Sequence, residues 1–116
     1  MYAAQSTDLA TLALVQLARG ARQQAHATAQ QLLEIIDASA PHQIEYPQRD
    51  LYVAALAAAA CGDTAGAAEL LQRAYTLIQT HAADISDAAL RQSFLENVAI
   101  NRVVVAAMGS APLRVG

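Results

Sequence analysis

The chain has 116 residues, 55% of them hydrophobic with alanine dominant, 15% charged and 4% aromatic, at a net charge of −3. That length supports one domain with a modest core, and alanine is the strongest helix former. The seven basic residues are all arginines scattered along the chain (Arg19, Arg22, Arg49, Arg73, Arg91, Arg102, Arg114), so no basic face for nucleic acid is expected, and no apolar run approaches a membrane span.

The first residues, Met1 to Asp8, lack the basic start and apolar core of a signal peptide. The single Cys61 excludes an intramolecular disulfide and fits a reducing compartment. The expected location is the cytoplasm. The first helix is predicted to start after Asp8, a good N-cap residue, with Leu9, Leu12, Ala13, Gln16 and Leu17 at helical spacing. Arg19-Gly20 forms a turn, since glycine is favoured just past a helix end. A second helix follows to Asp37, with Ala25, Ala29, Leu32, Leu33 and Ile36 as its apolar stripe.

Residues 38–47 are a connector in which Pro41 and Pro47 oppose helix. A third helix is predicted from about Gln48 to Ala60 and a fourth from Thr64 towards Ala83, with the turn at Gly62-Asp63. Ser86 is the expected cap of a helix running to about Val98. Asn97 and Asn101 suggest a break before a last short helix from Ile100 to Met108. Residues 109–116 form a loose tail.

An internal repeat is legible. Gly20 and Gly62 each end a first helix, and 62 − 20 gives a period of 42. That shift places Leu9 on Leu51, Ala13 on Ala55, Ala25 on Ala67 and Ala29 on Leu71. Repeat 1 is then about 8–37 and repeat 2 about 48–84, with capping helices over 86–108, all in one domain of residues 1–108.

The order Leu51, Ala54, Ala55, Ala58, Gly62, Asp63, Ala67, Leu71, Ala74 resembles the tetratricopeptide (TPR) helix–turn–helix repeat. Small residues stand where helices must approach closely (Ala55, Ala67, Ala74). The first unit resembles it less well: Gln16 replaces an apolar or aromatic residue and Leu32 replaces a small one. The segment from Gly62 to Ala107, and above all "ISDAALRQSFLENVAINR" (Ile85 to Arg102), is similar to C-terminal repeat regions of large bacterial signalling ATPases and regulators. That family has a proline where Ala99 stands, so a softer break is expected here. The resemblance implies an all-α fold: antiparallel helix pairs stacked as a short right-handed TPR-like solenoid, closed by C-terminal capping helices. It implies no catalytic residues and no cofactor, and a role in holding proteins or domains together.

In such a fold the first helix of each pair lines a concave surface. The spacing then places Thr7, Ala10, Leu14 and Leu17 from the first unit, and Arg49, Tyr52, Leu56 and Ala59 from the second, along a mostly apolar groove. Leu14, Leu17, Arg49, Tyr52 and Leu56 are the candidate contacts for an amphipathic helix of a partner protein. The first helix is apolar around much of its circumference, and Val103-Val104-Val105 cannot all face inward. A homodimer formed through the first helix or through the groove around Leu14, Leu17, Tyr52 and Leu56, or further repeats, would cover that surplus.

The residues that resemble chemistry have blander readings. Cys61 has no local histidine and is expected to be a packed, inert thiol. His26, His42 and His81 have no metal-ligand spacing. His26 on a helix is the alternative reading, a histidine phosphotransfer site in a signalling bundle, although no lysine follows it in the segment Ala27-Thr28-Ala29. Glu45-Tyr46 with Arg49-Asp50 is expected to be a capping cluster at the third helix. Glu69 and Arg73 suit an i, i+4 pair. Gly62-Asp63-Thr64-Ala65-Gly66 lacks the lysine of a phosphate loop.

Overall fold

The first turn closes at Gly20 and the second at Gly62, and the two are built alike. In the computed structural model, which describes residues 2–38 and 47–108, both glycines have positive φ, 76° and 85°. The amide of Gly20 donates to the Leu17 carbonyl (3.0 Å) and that of Ala21 to Gln16 (2.8 Å). Gly62 donates to Ala59 (3.0 Å) and Asp63 to Ala58 (2.9 Å). This is the Schellman pattern, which satisfies the last carbonyls of a helix through a left-handed residue. Each bond recurs 42 positions later, so the periodicity read from the side chains is also present in the backbone.

Six helices are seen among the described residues: α1 (Tyr2–Ala18), α2 (Arg22–Ala38), α3 (Pro47–Ala60), α4 (Thr64–Ala83), α5 (Ala88–Asn97) and α6 (Ala99–Met108). The protein is all-α. Three boundaries depart from the sequence reading. α1 begins at Tyr2, so Asp8 lies inside the helix instead of capping it. Pro47, expected to oppose helix, occupies the first position of α3, where its missing N–H costs nothing. The cap of α5 is Asp87, not Ser86: its Oδ1 accepts the Leu90 amide at 3.0 Å. The break before the last helix falls at Val98, whose backbone is extended (φ −80°, ψ 114°). The connector residues 39–46, including Pro41, His42, Glu45 and Tyr46, and the tail 109–116 lie outside the described residues.

α1 packs on α2 and α3 on α4, and α1 and α2 both rest against α3. α6 lies against α4 and α3, and α5 is held mainly by α6. The shortest dimension is 21 Å, about two helix diameters. The main core joins Ala25 and Ala29 of α2, Leu51, Ala54, Ala55, Ala57 and Ala58 of α3, Ala67, Leu71, Ala74 and Ile78 of α4, and Val104 of α6. A smaller cluster joins Ala10 and Ala13 of α1 to Leu32 and Val53. Alanine dominates because it lets helix backbones approach closely. Few large side chains are fully enclosed, chiefly Leu32, Leu51, Val53, Ile78 and Val104.

Candidate functional site

The candidate groove residues sit on the two first helices. Arg49, Tyr52 and Leu56 are spaced i, i+3, i+7 on one face of α3, and all are half-buried. Leu14 and Leu17 are spaced i, i+3 on α1, which packs directly on α3. Leu14 is 41% exposed, whereas Leu17 and Tyr52 lean on the main core. One other expected groove position changes: Ala10 of α1 is fully buried and cannot line a surface. Ala59, like Tyr52, is half-buried against the core. The side chain of Thr7 lies outside the described residues.

At the polar edge of this face, the Glu45-Tyr46 half of the expected capping cluster lies outside the described residues. Asp50, in the first turn of α3, is fully buried, and its Oδ1 stands 3.8 Å from Arg49 Nε. A carboxylate in the first turn is favoured by the helix dipole, and an interior one requires a cationic or hydrogen-bonding partner. Arg49 therefore sets its charge beside the Asp50 carboxylate, with its side chain 31% exposed.

Sequence reasoning missed the buried amide at Asn101. Asn101 donates through Nδ2 to the Phe94 carbonyl (3.0 Å) and accepts through Oδ1 from Gln48 Nε2 (3.3 Å). It answers a carbonyl left open where α5 ends at the Val98 break, and it ties the start of α3 to α6. The sequence signalled only that a break lay nearby. Gln16, which departs from the repeat pattern, is explained likewise: the buried Thr28 hydroxyl donates to its Oε1 at 2.7 Å. A polar pair there replaces an apolar contact between α1 and α2.

The residues with potential chemistry are dispersed. Cys61 is exposed, not packed, and donates to the Arg22 carbonyl across the α2–α3 junction (3.2 Å). Arg73 does not pair with Glu69; its Nη2 reaches Asp37 of α2 at 2.8 Å. His26 is half-buried, with Gln30 Nε2 3.3 Å from its Nε2. It borders a cleft of ≈ 210 Å³ shared with Leu33, Asp63, Glu69 and Arg73. Asp63 itself caps α4, accepting the Gly66 amide at 2.9 Å. A wider cleft of ≈ 730 Å³ lies between α5 and α6, bordered by Arg91, Leu95, Glu96, Arg102 and Val105. Two Arg91 guanidinium nitrogens already donate to the Ile85 carbonyl (3.0 and 2.9 Å). Among the described residues, no three His, Cys, Asp or Glu side chains form a metal-ligating group. No described helix is long and apolar enough to cross a membrane.

No family model, curated protein or solved structure matches the chain.

Proposed function

We propose that this protein is a non-catalytic protein-interaction module, a short right-handed TPR-like solenoid of two helix pairs closed by α5 and α6. It takes an amphipathic helix of a partner along the face shared by α1 and α3. It belongs with, or is related to, the repeat regions of bacterial signalling or transcription regulators. The observation that carries this reading is the pair of equivalent Gly20 and Gly62 turns, 42 residues apart, with the two first helices packed side by side. Stacked pairs of this kind bury a continuous core and leave their first helices to line a binding surface. Leu14, Leu17, Tyr52 and Leu56 supply apolar contacts there, with Arg49 at the edge.

Selection against a displayed library of amphipathic helical peptides, followed by amide-shift mapping, tests it. A selected peptide should perturb Leu14, Leu17, Tyr52 and Leu56, and Leu56→Asp should abolish binding without lowering the melting temperature. Peptides that map only to the α5–α6 cleft, or no selected peptide at all, count against it. The phosphotransfer alternative at His26 has less support. Asp63 and Glu69 border the same cleft, and their carboxylates would repel a phosphoryl group on that ring, while Arg73, the cation there, is paired with Asp37.

A further inference from the structure

One face of α1 is left uncovered in a way that the second unit explains. Asp8, Leu12, Val15 and Arg19 follow at i, i+4, i+7 and i+11, and all four are exposed, Leu12 at 45% and Val15 at 41%. The opposite face, with Ala10 and Ala13, is the buried one. Shifting by the period of 42 carries Asp8 to Asp50, Leu12 to Ala54 and Val15 to Ala57, and all three counterparts are fully or almost fully buried. In the second unit, then, this face is a packing face, with Ala54 and Ala57 inside the main core. In the first unit none of the described residues covers it, and it carries leucine and valine where α3 carries alanine.

The charges at its ends identify the occupant. Among the described residues neither Asp8 nor Arg19 has an ion-pair partner. They are the acid and the base at opposite ends of an apolar centre. Two copies of α1 crossing antiparallel, about a two-fold axis between Ala13 and Leu14, bring together residues whose numbers sum to 27. Leu12 then meets Val15 of the partner subunit, and Asp8 meets Arg19 of the partner subunit. Both pairs occur twice by symmetry, and no like charges are opposed. A two-fold interface must be self-complementary in this way.

We propose that the Asp8–Leu12–Val15–Arg19 face of α1 is a homodimer interface in which two α1 helices pack antiparallel with reciprocal Asp8–Arg19 pairs. The proposal shares only the 42-residue register with the proposed function. Leu14 points to the other flank of the helix, so the peptide groove stays open in the dimer.

Sedimentation velocity at micromolar concentration, with circular dichroism as the check on folding, tests it. The wild type should sediment as a dimer. Asp8→Arg and Arg19→Asp should each weaken the dimer about tenfold or more, since each opposes like charges. The double variant Asp8→Arg/Arg19→Asp should restore it, and a surface that merely tolerates charge would show no such rescue. Val15→Asp should give a monomer, and Leu14→Asp and Leu56→Asp should leave the dimer intact while removing peptide binding. A wild-type monomer overturns the proposal. So does failure of the charge swap to restore a dimer that each single variant weakens. A dimer lost on Leu56→Asp, or on Leu90→Asp at the α5–α6 end, also overturns it, by placing the interface on the groove or in a head-to-tail stack.

Discussion

At Gly62 a Cβ would meet no neighbouring atom, yet φ stands at 85°. Any penalty for a side chain there is a backbone penalty, and β-branched residues suffer it most. Gly62→Val should therefore cost about 1–2 kcal/mol or more, read as a lower midpoint in thermal or urea unfolding. An unchanged midpoint would mean that the turn does not need its left-handed residue. Asn101 poses the opposite case, a position where the side chain itself is indispensable. Asn101→Ala leaves the Phe94 carbonyl and the Gln48 amide without this partner, at a position where the Asn101 side chain is fully buried. A loss of about 1–3 kcal/mol is expected, whereas a surface asparagine at a helix break would lose little. The Arg73–Asp37 pair contributes less despite its 2.8 Å length, because both side chains, 40% and 61% exposed, remain in reach of solvent.

Between elements, the α3–α4 contact depends on the small size of its residues. Ala55 and Ala67 are only 0% and 1% exposed, in the same core cluster. A leucine at either position has no space to enter, so Ala55→Leu and Ala67→Leu should each destabilise by about 1–3 kcal/mol through overpacking. Urea denaturation measures this, and neutrality at both sites would show that the helices do not meet there. The last helix shows how a run of like residues divides between environments. Val104 is fully buried against the core, Val105 half-buried and Val103 40% exposed, because three consecutive positions sweep most of a helical turn. The sequence led to the expectation of one uncovered valine, and the structure identifies it.

Over the whole molecule, both the first helix and the last two carry exposed apolar side chains: Leu12, Leu14 and Val15 on α1, and Leu90, Val98 and Val103 on α5, α6 and the link between them. If α1 pairs with a second copy, association stabilises the folded state by mass action. The melting temperature should then rise with protein concentration over the micromolar range, and the rise should vanish in Val15→Asp. A midpoint independent of concentration would indicate a monomer that tolerates its exposed leucine and valine.

Much of the architecture was legible in the residues because it is local. Alanine content and 3.6-residue spacing specify helices, glycine specifies the two turns, and the turn register of 42 follows from counting. Ala55 and Ala67 could be named as buried for the same reason: a helix pair closed by a short turn has only one way to meet. The candidate site was legible only in part. Leu14, Leu17, Tyr52 and Leu56 could be placed on the first helices by spacing, but the burial of Ala10 depends on which neighbour lies beneath α1. The Asn101 bridge between α3, α5 and α6, the Gln16–Thr28 bond and the reach of Arg73 to Asp37 were decided by tertiary structure alone. Each joins residues on different helices, or across a helix break, whose separation depends on how those helices cross. Periodicity along one helix carries no information about that crossing.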